Sequence, residues 1–341
     1  MKRSFARIFK LALTALLLGL LIRMAGAREI MAAFVGIAWL WAISMLIAGL
    51  LQKFFVSVQL WAILSRAGLT VSVARVFLAN ALAALYTLFL PGNIASAGIK
   101  WLDLSAATGK KAAVFNGLIY HRLLMSLLTL ILGGVAIVVS NPVDQESLSF
   151  IAAALVVFLV ALFVFLYHPK MGPLAESLAR RLSGRFPAKV AGYVTPVIDA
   201  MRRFHRFSAA NHLEILAWAI ASVVLRVLML WFAMLAMGLD VAPIHILWMS
   251  AVLLFTAALP LTVANLGIRE GFLVLALAPF GVSSSTAVAL GLLIFVNQIA
   301  FAAVGGAYQL ALALDLVSWK VPKPQATDEV PGISIGGPGT V

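Results

Sequence analysis

The sequence predicts an all-α membrane protein: a polytopic helix bundle of about six full transmembrane helices plus two re-entrant helical hairpins, arranged as an inverted-topology internal repeat. Three observations predict it. The first is composition: 63% of the 341 residues are hydrophobic and 11% charged, against roughly half and roughly a quarter in soluble domains. One soluble core cannot hide that much apolar surface, so lipid must solvate much of it. The second is the recurrence of apolar runs near the roughly 20 residues needed to cross a hydrocarbon core. The third is a conflict between those runs and the loop charges, which disappears if two of the runs turn back inside the membrane.

The runs fall in order along the chain. A first helix is expected at about 8–22, retained rather than cleaved as a signal peptide because more spans follow at once. A second covers about 30–51, followed by a connecting stretch with Lys53, Arg66 and Arg75. An apolar segment at 76–90 is broken by Pro91-Gly92-Asn93 and continues at 94–104. Helices are expected at 112–139 and 148–167, and then, after a basic loop spanning 168–210, at 213–237. A segment at 241–259 breaks at Pro260 and resumes at 263–280, and a last helix covers 285–314. These elements form a single transmembrane domain over 1–320. The Pro- and Gly-rich tail, 321–341, is expected to be disordered and cytoplasmic.

Loop charges set the orientation. The basic amino terminus, the stretch from Lys53 to Arg75 and the loop carrying Lys170, Arg180, Arg181, Arg185, Lys189, Arg202, Arg203 and Arg206 belong in the cytoplasm. The 140–147 loop, with Asp144 and Glu146 but no cation, belongs outside, as does Gly238-Leu239-Asp240. If every apolar segment crossed, these sides would be reversed midway. They agree if the pair around Pro91 enters from the cytoplasm and returns, and the pair around Pro260 does so from outside. The competing reading is two ordinary kinked spans. In the re-entrant reading both termini are cytoplasmic and the protein is a multi-pass component of the cell inner membrane. The net charge of +13 then reflects the positive-inside rule and anionic head groups, not nucleic acid. With no cysteine, disulfides and thiolate metal sites are excluded.

The two breaks lie in similar sequence. Residues 90–104 and 259–273 are identical at six of fifteen positions, including Pro91/Pro260, Gly98/Gly267 and Ile99/Ile268, and Lys100 pairs with Arg269. Leu60-Trp61 matches Leu230-Trp231, Gly68-Leu69 matches Gly238-Leu239, and Gly133-Gly134 resembles Gly305-Gly306. Repeat one covers about 30–140 and repeat two about 211–314. Their opposed orientation is the pattern of alternating-access transporters, whose site lies where the repeats meet.

At these segments the chain resembles the lysylphosphatidylglycerol synthase transmembrane-region family, also called the flippase-like domain family, over about 30–314. Residues 263–270, Val-Ala-Asn-Leu-Gly-Ile-Arg-Glu, are similar to that family's Pro-Gly-Gly-x-Gly-x-Arg-Glu run, with Val-Ala-Asn in place of Pro-Gly-Gly. The first break resembles the family's Pro-x-x-x-Gly-(Asp/Glu)-x-x-Arg, except that Gly98 is followed by Ile99-Lys100 and the acid is displaced to Asp103. The resemblance implies movement of charged or phosphate-bearing lipids across the bilayer. It implies the lipid-handling half alone, since nothing in the chain matches a fused synthase or glycosyltransferase domain.

Ionisable residues within a membrane are costly and count as functional candidates. Arg122 lies about ten residues into its expected helix, roughly 15 Å deep, and Arg226 lies past the middle of another. Lys100, Arg269 and Glu270 follow the breaks, where free N–H groups and a positive helix end face the interior. Asn265 and Asn297 are the polar candidates beside them, with Asn116 and Gln298 next. The substrate-binding set is therefore Lys100, Arg122, Arg226, Arg269, Glu270, Asn265 and Asn297, and the helix-break set is Pro91, Gly98, Pro260 and Gly267. These cations suit a phosphate held between the hairpin tips while acyl chains stay in lipid. Structural alternatives stand beside this: Arg269 and Glu270 pairing to hold the fold, a local Lys100–Asp103 pair, interhelical amide bonds, and a structural His121. Glu214 lies twelve residues from Arg226, too far for a direct pair on one helix.

The expected function is a flippase- or scramblase-like lipid transporter whose partner is an anionic phospholipid or a polyprenyl-phosphate-type lipid, alone, as a homodimer, or beside lipid-synthesis enzymes. No P-loop, G-x-S-x-G, H-E-x-x-H or metal-ligand spacing is present, so no cofactor and no metal are expected, and transport is favoured over enzyme activity. The alternatives are a membrane-embedded transferase, for which Glu270 and Asp103 are the candidate bases, and a scaffold docking through the basic loop.

Overall fold

The computed structural model describes residues 27–88, 93–141, 146–167, 207–258 and 262–314, together with Ser177 alone. The expected first helix at 8–22, Pro91, Pro260, the basic loop from 168 to 206 and the tail lie outside the described residues. Among the described residues there are ten α-helices and no strand: α1 (Ala27–Val35), α2 (Trp39–Arg66), α3 (Val73–Thr87), α4 (Asn93–Thr108), α5 (Lys111–Ser140), α6 (Glu146–Tyr167), α7 (Ala209–Ala236), α8 (Pro243–Ala258), α9 (Ile268–Leu277) and α10 (Ser284–Ala313). Four of them, α2, α5, α7 and α10, are long and apolar enough to cross a membrane. Large apolar side chains stand exposed on their outer faces and along α6, among them Phe150, Leu155, Val157 and Phe158. Such a surface, on helices of this length, is suited to lipid.

Helix ends are set by local chemistry. Ser72, Ser208 and Ser283 each accept a backbone N–H three residues on and so cap α3, α7 and α10. At the ends of α2 and α7 the backbone closes in the same way. Gly68 and Gly238 take φ of 80° and 70°, Leu69 N–H bonds Leu64 C=O, and Leu239 N–H bonds Met234 C=O. These are Schellman caps, for which glycine at positive φ is favoured. The matched Gly-Leu dipeptides thus stop matched helices.

Two expectations are corrected. The helix expected at 30–51 is two helices, α1 and α2, broken at Gly36-Ile37-Ala38, and α2 continues to Arg66. Lys53 therefore lies 14 residues inside a 28-residue helix, roughly 21 Å along it, and not in a connecting stretch. Arg75 is likewise buried and no loop cation. The segment expected to resume helix at 263 instead forms a short 3-10 turn, Val263–Asn265, and α9 begins only at Ile268.

Packing places α2 against α7 at the centre of the molecule. Around this pair, α3 packs on α10 and α8 packs on α5. Glycines permit both approaches. A Cβ at Gly305 of α10 would strike the Ala81 backbone of α3, and a Cβ at Gly133 of α5 would strike Ala251 of α8. The shorter helices α3, α4, α8 and α9, with 15, 16, 16 and 10 residues, are held between the long ones.

Candidate functional site

A cavity of about 270 Å³ opens where the central pair meets α8, α10 and the break before α9. From α2 it receives Gln52 and Lys53, and from α7 Arg226, Met229 and Leu230. Thr87, the last residue of α3, closes one side. Thr262, Ala264 and Asn265 of the turn and Arg269 of α9 close the other. Asn297 and Gln298 come from α10 and Ser250 from α8. Residues flanking both helix breaks therefore meet in one chamber, whose wall mixes these polar groups with apolar side chains such as Leu253, Leu254 and Ile294. Its volume lies just below the roughly 300–1,000 Å³ of drug-sized ligand sites.

The turn before α9 has unusual backbone. Ala264, Asn265 and Gly267 take φ of 52°, 61° and 85°. These stand where the similar motif carries its three glycines. Asparagine tolerates the left-handed region by virtue of its short polar side chain, but alanine does not. Ala264→Gly should therefore raise stability by about 1 kcal/mol, read as a higher midpoint in thermal unfolding of the detergent-solubilised protein. A lower midpoint would mean that the strain at Ala264 is compensated by its buried methyl. Asn265 Nδ2 donates to Thr256 Oγ1 at 3.2 Å, fixing the turn to the end of α8.

The next link anchors α9. Glu270 is fully buried. Its Oε2 accepts the Gly267 N–H at 2.6 Å and its Oε1 accepts Arg269 Nε–H at 3.0 Å, with a second bond from Arg269 Nη2. The carboxylate therefore satisfies a free helix-start donor and neutralises the neighbouring guanidinium. Arg269 also lies over the Phe295 ring, 5.6 Å from its centroid. Gly291 of α10 leaves the space that Glu270 fills, and Gly49 of α2 leaves space for Asn297.

Lys53 and Arg226 have no carboxylate partner among the described residues. Lys53 lies over Phe301, 5.9 Å from the ring centroid, within electrostatic range of Arg226 and Lys100. Asn297 Oδ1, Asn265 Oδ1 and Thr262 Oγ1 are buried and lack a hydrogen-bond partner. Buried polar groups in native proteins are nearly always satisfied, and these three belong to residues of the cavity wall.

Of the residues singled out in the sequence, the structure brings Arg226, Arg269, Asn265 and Asn297 to the cavity wall, and Gln298 with them. Glu270 stands directly behind it. Lys100 and Arg122 do not line it: Lys100 is half-buried and Arg122 exposed, with Lys100 within electrostatic range of Arg122. Gly267 marks a helix start, but Gly98 sits inside α4 and marks no break. The local pair of Lys100 with Asp103 does not form. Asp103 instead bonds Arg75 of α3 at 2.7 Å, and Arg75 also donates to the Tyr308 hydroxyl of α10. Glu214 pairs with Arg66 at 2.7 Å, not with Arg226. Asn116 and His121 are buried in α5, away from the cavity.

The family described as lysylphosphatidylglycerol synthase TM region matches residues 7–306. The chain belongs to that family. A lysylphosphatidylglycerol synthase TM region of this composition, with four helices long enough to cross a bilayer, is a multi-pass membrane protein. The match includes both breaks and every residue that lines the cavity. No curated protein and no solved structure matches the chain.

Proposed function

We propose that this protein moves lipids across the bilayer, with an anionic head group held in the central cavity between two re-entrant hairpins, α3–α4 and α8–α9. One observation carries the reading: Lys53 and Arg226 lie deep within apolar helices, on the wall of one chamber, with no described carboxylate to neutralise them. Each such cation at mid-depth costs at least about 2.5–3.5 kcal/mol unless something compensates it. A lipid phosphate does so. The family name points the same way, towards lipid.

In this reading the two halves are inverted repeats. Support comes from the exchange of partners, α3 on α10 and α8 on α5, which is the pattern a twofold relation between α2–α5 and α7–α10 generates. The equivalent Schellman caps and the two glycine contacts support it too. The hairpins are too short to cross, and their tips would gate the cavity in turn from either side. Both termini are cytoplasmic in this arrangement, in the inner membrane. Transport is favoured over a transferase because Asp103 and Glu270 are each committed to an arginine.

Reconstituted protein should accelerate translocation of dithionite-reducible anionic lipid analogues over zwitterionic ones. Arg269→Ala and the Lys53→Gln/Arg226→Gln double variant, each verified as folded, should lower the rate by tenfold or more, on the order of the charge-pair energies of buried sites. Equal rates for wild type and the double variant would overturn the assignment of the cavity as the head-group site.

A further inference from the structure

The charges around the cavity can be counted, and the count does not balance. Three cations line it: Lys53, Arg226 and Arg269. One carboxylate touches this set, Glu270, and it is spent on Arg269. The other acids whose side chains are described are engaged or exposed. Asp103 bonds Arg75 and Glu214 bonds Arg66, while Glu29 in the first turn of α1 and Asp240 in the loop before α8 are exposed. The described walls of the chamber therefore carry two uncompensated positive charges. In a low-dielectric interior such an imbalance is a selectivity filter, because each unmatched charge is heavily penalised.

Beyond the charges, the walls supply neutral polar atoms. The Oδ1 atoms of Asn297 and Asn265 are buried acceptors without donors. The Gln52 and Gln298 amides and the Thr87 and Ser250 hydroxyls complete the wall.

Resting on the lipid-transport reading, we infer that the preferred head group is a dianion, a lipid phosphomonoester or pyrophosphate, and not the singly charged phosphodiester of common anionic phospholipids. A phosphomonoester carries about −1.5 to −2 charge at pH 7 and presents three strong acceptor oxygens. It matches Lys53 and Arg226 together, where a phosphodiester leaves one of them unpaired.

The test compares lipids with the same acyl chains: phosphatidic acid for the monoester, phosphatidylglycerol for the diester and phosphatidylcholine as the zwitterion. Binding to the purified full-length protein is read as the shift of thermal unfolding midpoint with lipid concentration, and translocation is read in proteoliposomes. Glycerol 3-phosphate serves as the soluble phosphomonoester. Phosphatidic acid should bind about tenfold or more tightly than phosphatidylglycerol, and glycerol 3-phosphate should compete only weakly. Arg226→Gln leaves one uncompensated cation, so the preference should fall to about twofold or less. Lys53→Gln should do the same and provides a second readout should Arg226→Gln fail to fold.

Equal binding and movement of both anionic lipids, still lost in Arg269→Ala, would overturn the charge count while leaving the transport reading intact. A preference that survives both single neutralisations would also overturn it. Competition by glycerol 3-phosphate as strong as that of phosphatidic acid would assign the site to a soluble phosphate. Absence of binding and movement for every lipid would overturn this inference and the transport reading together.

Discussion

Glu270→Ala will unfold this protein more readily than any other single truncation in the cavity wall, by about 3–5 kcal/mol. The expectation follows from what the carboxylate satisfies. Without it the Arg269 guanidinium, 5% exposed, keeps its charge on the cavity wall with the Phe295 ring beside it and no carboxylate to neutralise it. The Gly267 N–H loses its acceptor as well. Removing one partner of a buried pair is far worse than removing both, so Arg269→Ala/Glu270→Ala should be more stable than Glu270→Ala alone. Glu270→Gln should fall between, since the amide oxygen still accepts the Gly267 N–H. Thermal unfolding of the three variants in detergent decides it. A Glu270→Ala midpoint equal to that of wild type would mean that water reaches the pair, and the anchoring role assigned to Glu270 would be lost.

The second large effect is steric and separates the two glycine contacts. At Gly305 the obstacle is Ala81 backbone, and at Gly133 it is the Ala251 methyl. Gly305→Ala should therefore cost about 1–3 kcal/mol by forcing α3 and α10 apart, and trimming Ala81 to glycine should not rescue it. Gly133→Ala should cost a similar amount, yet Gly133→Ala/Ala251→Gly should recover most of it, because the methyl merely changes sides. Gly306 is the control. Its added Cβ would lie 3.9 Å from Leu85 Cδ1, an ordinary contact, and alanine favours a helix interior over glycine by about 1 kcal/mol. Gly306→Ala should thus be neutral or stabilising. A Gly305→Ala variant as stable as Gly306→Ala would refute the close approach of α3 to α10.

Much of this architecture is legible in the sequence because lipid imposes simple rules. Apolar runs place α5, α6, α7, α8 and α10 within a few residues, since a helix is the only way to satisfy a backbone polar group in hydrocarbon. The polar interruption Gln52-Lys53 misleads. It looks like the end of a span, but the helix runs on to Arg66 and the interruption is the cavity wall itself. The same misreading hides Arg75, which the sequence presents as one more loop cation. Its partners, Asp103 and Tyr308, come from distant helices, and no local pattern announces them. Arg226, Arg269, Asn265 and Asn297 are visible as candidates because polar groups are rare in such runs. Lys100 and Arg122 are equally rare in their runs, yet they stand outside the chamber, because a run specifies depth and not the direction a side chain takes. The length of the second break is hidden for another reason. Alanine and asparagine read as ordinary helix residues, and only the three-dimensional frame forces them to positive φ.

The partner exchange between the halves also constrains biogenesis. Arg75 and Tyr308 are separated by 233 residues in sequence. At about 5–20 residues per second of synthesis, Arg75 is made roughly ten to fifty seconds before its partner on α10. Until then α3 has no α10 to cover its small-residue face, and α5 must likewise wait for α8. The first half is therefore made before the helices that cover it. A chain that stops between α7 and α10 keeps an uncovered α3 face that matches α10 of a complete copy.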